Sequence, residues 1–81
     1  MKAVISVIGK DAVGILARVS AVCAEHNANV TEVTQSVLQD VFAMVMLVDI
    51  SALSIPLAEL SDRMSELGKS MGLSIYVMHE D

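Results

Sequence analysis

The spacing of apolar positions along the 81-residue chain alternates between the two-residue period of strands and the three-to-four-residue period of helices. Short runs that are β-branched or that alternate in polarity predict four strands, over residues 3–8, 30–38, 41–50 and 73–78. Apolar residues at helical spacing predict one helix over roughly 13–26 and a second that starts near Pro56 and stops at Gly72. The order β-α-β-β-α-β is typical of an α+β, ferredoxin-like two-layer sandwich. We therefore expect one domain over residues 1–81, with a four-stranded antiparallel sheet and both helices on one face.

The third predicted strand is apolar on both sides of its pleat, although the two helices of such a fold cover only one side. The composition adds to this, because 54% of the residues are hydrophobic and only one Tyr and one Phe are present, so the core is aliphatic. A chain this short buries only about 60% of its unfolded surface. We predict that the excess apolar surface, either a sheet face or a sheet edge, packs on a second copy in a homodimer.

Charge and cysteine content exclude several kinds of partner. Ten acidic residues against five basic ones give a net charge of −5, which disfavours binding to nucleic acid and to anionic membranes. No apolar run approaches the length of a membrane span, and a single cysteine, Cys23, allows no intramolecular disulfide. We expect a cytoplasmic protein without a metal or an organic cofactor.

The connection between the first strand and the first helix, Gly9-Lys10-Asp11-Ala12-Val13-Gly14, is the segment with recognisable chemistry. Gly9 would let the chain leave the sheet, Asp11 would cap the helix, and Gly14 would let a ligand approach closely. The N–H groups of Ala12, Val13 and Gly14 would then begin the helix unpaired and favour an anion such as a carboxylate. Asp11 could face the ammonium group of the same ligand.

The same segment resembles the ACT domain family, whose members carry a G-x-D-x-x-G-[IV]-[LV] stretch at this place. Gly9, Asp11, Gly14, Ile15 and Leu16 match that stretch position for position, and Asn29-Val30 resembles the family's usual start of the second strand. The resemblance extends over the whole chain and is nearest to the stand-alone, single-domain bacterial proteins of the UPF0237 group. It implies a ligand held between this loop and the second strand of a neighbouring subunit, with Asn29 and Asn27 across the site.

These observations give a main hypothesis and two alternatives. The main hypothesis is a homodimeric domain that binds a small molecule, expected to be an amino acid, has no catalytic residues, and signals through a regulated protein partner or through assembly. The predicted ligand-binding residues are Gly9, Asp11, Ala12, Val13, Gly14, Ile15, Asn27 and Asn29. The alternatives are a protein–protein interaction module without a ligand and, third, an acylphosphatase-like enzyme. That enzyme would need an arginine in the loop, which offers only Lys10.

Overall fold

The computed structural model describes residues 1–10 and 13–79, and it has the predicted ferredoxin-like order of elements. The elements are β1 (Lys2–Lys10), α1 (Ile15–Glu25), β2 (Asn29–Leu38), β3 (Val41–Asp49), α2 (Leu57–Met71) and β4 (Leu73–His79). The four strands form one antiparallel sheet in the order β2-β3-β1-β4. Neither helix within these described ranges combines the length and the hydropathy that a membrane span requires.

The core lies between the two helices and one face of the sheet. Alternate residues of β1 and β3 point into it, and they meet a stripe from each helix at three- and four-residue spacing. The fully buried side chains include Ile5 and Val7 of β1, Met44 and Met46 of β3, Val19 and Cys23 of α1, and Leu60 and Met64 of α2. As the composition predicted, this core is aliphatic and sulfur-containing, with Phe42 as its aromatic member.

The edge strand β2 departs from the predicted alternation near its start. A register shift between Val30 and Glu32 marks a β-bulge at Thr31, whose hydroxyl donates to the Leu47 carbonyl at 3.0 Å. A regular strand would place Val30 and Glu32 on the same side, but the bulge adds one residue between them. Val30 pairs with the core residue Val48, whereas Glu32 pairs with Leu47 on the opposite face.

The second helix packs closely on β4 because a glycine faces the strand. A Cβ built on Gly68 would lie 2.6 Å from the carbonyl oxygen of Leu73 and 3.2 Å from Cγ1 of Ile75. The helix ends at Gly72, which has a φ of 71° and donates its N–H to the Gly68 carbonyl. The predicted stop at Gly72 is thus confirmed, and β4 begins at the next residue.

Candidate functional site

The first strand continues through the glycine that was expected to turn it. Gly9 lies inside β1, opposite Phe42 on one side and Leu73 on the other. A Cβ there would lie 2.6 Å from Cδ2 of Leu73 and 3.0 Å from the Gly72 carbonyl oxygen. The prediction that Gly9 lets the chain leave the sheet is therefore wrong; this glycine permits β4 to pack closely against the end of β1.

The first helix begins later than the sequence indicated. Its N-cap is Gly14 rather than Asp11, and the first helical hydrogen bond runs from the Arg18 N–H to the Gly14 carbonyl at 3.0 Å. Gly14 has a φ of 83°, a left-handed conformation that glycine adopts without strain, and a Cβ there would meet no atom of residues 1–10 and 13–79 within 4 Å. Open space among the described residues on the side of the missing Cβ agrees with the idea that something can approach this position.

The later start changes which backbone groups are available to an anion. The first four N–H groups of a helix have no partner within it, and here they belong to residues 14–17. Sequence reasoning placed these donors at Ala12, Val13 and Gly14, two or three residues too early. Leu16 and Ala17 were therefore missed, since only the cap geometry shows where the helix starts.

The other predicted loop residues differ in their surroundings. The side chain of Ile15 is buried in the core, so only its backbone faces the site, whereas Val13 is fully exposed. Asp11 and Ala12 lie outside the described residues.

Asn27 and Asn29 lie at the far end of α1. Asn27 has a φ of 61° and donates its N–H to Ala24, while the Ala28 N–H bonds to Cys23 at 2.8 Å. This is the Schellman pattern, in which a residue in the left-handed region ends a helix. The backbone of Asn27 thus has a structural role, and Asn29 begins β2 with its side chain exposed.

Both asparagines line a surface depression of about 460 Å³. Its other lining residues come from α1, the start of β2 and the loop after β3: Ser20, Ala24, Ala28, Val30 and Ala52. Sequence reasoning missed Ser20, Ala24 and Ala52 at this place. The small residues Ser20 and Ala24, one helical turn apart, were a signal for open space beside the helix, but nothing in the sequence brings Ala52 here.

The loop and the asparagines do not meet within one chain. The 11 residues of α1 separate them by roughly 16 Å at 1.5 Å per residue. The strand pairing agrees, because Asn29 lies beside Asp49 at one end of the sheet and Lys10 lies beside Val41 at the other.

Titratable groups in the described residues offer no alternative chemistry. No group of three or more His, Cys, Asp or Glu residues in residues 1–10 and 13–79 is placed to hold a metal ion. The Cys23 thiol is buried, which raises its pKa to about 11 and keeps it protonated at neutral pH. A second depression, of about 390 Å³, lies along α2 and β4, and Asp62 is the charged residue of its lining.

A family model described as the ACT domain matches residues 2–78. The chain belongs to the ACT domain family. The members of this family are small-molecule-binding regulatory domains, and the glycine motif predicted from the sequence lies at the β1–α1 connection of this ACT domain.

Curated relatives of this ACT domain carry the UPF0237 name. A UPF0237 protein of Methanopyrus kandleri is 46% identical over 80 residues, which are 99% of this chain and 89% of the relative. A UPF0237 protein of Clostridium acetobutylicum is 41% identical over 99% of this chain and 90% of its own length. The predicted resemblance to the UPF0237 group is confirmed.

A solved structure supports the fold. An ACT domain protein from Streptococcus pneumoniae superposes with a TM-score of 0.84 at 33% identity, covering 96% of this chain and 88% of that protein. The predicted architecture is confirmed for this ACT domain, with the β-bulge and the late helix start as its local departures.

Proposed function

We propose that this chain is a sensor of an amino acid, that it acts as a homodimer, and that it passes the signal to a protein partner without catalysing a reaction. The observation that carries the proposal is the open start of α1 at Gly14. Four backbone N–H groups begin the helix there, where the helix dipole favours an anion such as a carboxylate. Membership of a family of small-molecule-binding regulatory domains supports the same reading.

An amino acid fits this position because it carries both kinds of charge. Its carboxylate would accept hydrogen bonds from the N–H groups of residues 14–17, and its ammonium group would pair with Asp11, three residues earlier in the sequence. The side-chain amide of Asn29 both donates and accepts hydrogen bonds, so it could bond to either charged group of the amino acid.

The site requires two copies if Asn29 takes part, since one chain holds the loop and Asn29 at opposite ends of the sheet. The edge strand β2 is exposed along nearly its whole length. Antiparallel pairing of β2 with β2 of a second copy would bring Asn29 of that copy to the end of the sheet where the loop lies. A two-fold dimer of this kind would hold two equivalent sites.

A thermal-shift screen of the purified protein against the twenty amino acids, nucleotides and divalent metals tests the proposal. At a ligand concentration a hundredfold above Kd, binding stabilises the folded state by about 2.7 kcal/mol. For a domain of this size that is a rise in Tm on the order of 10 °C. We expect such a rise with one amino acid, and a screen in which nothing raises the Tm would contradict the sensor function.

Two substitutions at Gly14 test whether the ligand binds at the start of α1. Asp and Asn have nearly the same shape and both tolerate the left-handed region, but only Asp places a negative charge beside the helix N-terminus. Gly14→Asp should abolish the ligand-induced rise in Tm, and Gly14→Asn should retain part of it. Each variant is compared with its own unliganded Tm, because the backbone strain costs each roughly 1 kcal/mol. An undiminished rise in Gly14→Asp would place the ligand elsewhere.

We further propose a cytoplasmic location and no role in binding nucleic acid or membranes, supported by the net charge of −5 and the buried thiol of Cys23.

A second candidate function is an interaction module without a ligand. It is favoured by the apolar face that the helices leave uncovered, where Val45 and Tyr76 are more than half exposed. The same screen separates the two functions, because an interaction module shows no rise in Tm with any metabolite.

A further inference from the structure

The face of the sheet opposite the helices, called here the helix-free face, carries apolar side chains on all four strands. The strand pairing places Thr34, Val45, Ser6 and Tyr76 in one row across all four strands. The rows on either side add Val4 and Leu47, and Ile8 and Ala43, from the two central strands. Both helices lie on the other side, so no element of the described chain covers these residues.

Much of the exposed apolar surface of the molecule is concentrated there. Among the described residues, 11 large hydrophobic side chains are exposed, and six of them belong to the helix-free face. These six are Ile8, Leu38, Val41, Val45, Tyr76 and Met78, with exposed fractions from 45% to 71%. A monomeric soluble protein seldom leaves so continuous an apolar surface in water, and such surfaces mark interaction sites.

The area of this face is close to that needed for a specific interface with another sheet. Four strands about 4.8 Å apart, each contributing residues over about 24 Å, give a face of roughly 450 Å². Two such faces in contact bury roughly 900 Å², which is close to the lower bound of about 1,000 Å² for a specific interface. Apolar sheet faces also stack readily, about 10 Å apart, because their side chains interdigitate.

The charges of the helix-free face suit a second copy and disfavour a strongly charged occupant. Among the described residues its charged side chains lie at the border and are Lys2, Lys10, Glu32 and Asp49, which sum to zero although the chain carries −5. Two copies that meet here therefore bring two neutral surfaces together and keep most of their acidic residues apart. A basic partner would need an acidic face, and an anionic membrane would need a basic one.

We infer that the helix-free face is an interface with a second copy of this chain, formed by face-to-face stacking of the two sheets. This interface is separate from the edge pairing of β2 proposed for the ligand site, so an assembly that uses both contacts holds more than two chains and has the proposed homodimer as its unit. It also does not depend on the identity of the ligand, since Val45 and Tyr76 belong to neither the loop nor the depression at Asn29.

Paired substitutions in the β2–β3 hairpin test the inference. Val45 and Val37 are both valines with 51% of their surface exposed, but Val45 lies on the helix-free face and Val37 pairs with the core residue Phe42 on the helix side. The number of chains per particle is measured by light scattering and sedimentation at tens of micromolar. Circular dichroism confirms that each variant is folded.

We expect Val45→Glu to lower the number of chains per particle and to weaken association about 100-fold or more, because a carboxylate would be buried without a partner. Tyr76→Glu, in the same row on β4, must do the same, and it keeps the test valid if Val45→Glu does not fold. Val37→Glu leaves the helix-free face unchanged. Because Val37 lies on the β2 edge that is proposed to pair with a second copy, any dissociation it causes should be separate from that of Val45→Glu and add to it. The inference is overturned if the wild-type protein is a monomer or if Val45→Glu and Tyr76→Glu assemble like the wild type. The inference also fails if Val37→Glu dissociates the protein as much as Val45→Glu does and the double variant dissociates no further than either single variant. The two substitutions would then act on one interface rather than two.

The thermal-shift screen reports on the ligand and this measurement reports on assembly, so amino-acid binding and the face-to-face interface can fail separately. A monomeric wild-type protein would contradict this interface and the proposed homodimer together. An amino-acid-induced rise in Tm that persists in Val45→Glu would show that the ligand site does not need the helix-free face.

Discussion

Replacing Gly68 by alanine should destabilise this domain, although the same substitution in the interior of a helix usually stabilises it. Alanine is favoured over glycine in helices by about 1 kcal/mol. Here the new Cβ would lie 2.6 Å from the carbonyl oxygen of Leu73, whereas ordinary contacts begin at 3.4 Å. That oxygen belongs to the backbone of β4 and cannot rotate away as the end of a flexible side chain could.

The size of the effect follows from these two opposing terms. Forcing an extra methyl group into packed structure costs about 1–3 kcal/mol, and a shift of backbone lies towards the upper end of that range. After the gain in helix propensity is subtracted, we expect a net loss of about 1–2 kcal/mol. For a domain of this size that lowers the Tm by roughly 5–15 °C.

Thermal and urea unfolding followed by circular dichroism measure this difference. Ser65→Ala is the matched control, because Ser65 lies on the same helix with its side chain exposed, and alanine there should raise stability by a few tenths of a kcal/mol. A Gly68→Ala protein that is as stable as the wild type or more so would refute the claim that α2 packs on β4 through this glycine.

Two further predictions concern titratable groups. Because burial raises the pKa of the Cys23 thiol to about 11, the native protein should react slowly with a thiol reagent at pH 8 and fully once denatured; rapid labelling of the native state would contradict this. The Asp49 carboxylate accepts a hydrogen bond from the Ser51 N–H at 2.9 Å, which lowers its pKa, so its contribution to stability is present above the usual aspartate pKa and is lost as the pH falls through the lower folded value. The stability difference between wild type and Asp49→Ala should therefore be constant from pH 7 to pH 5 and narrow below about pH 3.9, and a difference that widened on acidification would contradict the assignment.

The order of elements could be predicted from the sequence because both helices and three strands have strong apolar periodicity. Leu60 and Met64 on α2, and Met44 and Met46 on β3, all occupy the buried positions that their spacing indicates. The two-sided apolar character of β3 was predictable for the same reason, and the structure leaves its outer side partly exposed.

The structure differs from the sequence-based predictions where the conformation of the backbone, rather than the pattern of polar and apolar residues, determines the local structure. The bulge at Thr31 shifts one residue of β2 without any glycine or proline to mark it. Gly9 and Gly14 look alike in the motif, yet Gly9 makes room for β4 while Gly14 adopts the left-handed region at the start of α1. A glycine in a sequence does not reveal whether it serves close packing or an unusual φ.

The segments that form the candidate site were predictable from the sequence, but their positions relative to one another were not. The motif identified the β1–α1 connection, and the family resemblance implied the two asparagines. The length of α1 places the connection and the asparagines apart in one chain. The depression beside Asn29 depends on Ala52, which reaches α1 only through the tertiary fold.

The separation of the loop and Asn29 by the length of α1 has a consequence for dose response. A binding site divided between two polypeptides exists only in the associated state, so occupancy and association are thermodynamically linked. If the proposed site is shared between two copies of this chain, its apparent affinity for the metabolite would rise with the concentration of the protein itself, and saturation would drive dissociated subunits together. A cell that changes the expression of such a domain would thereby retune the metabolite level at which it responds, without altering a single contact in the site.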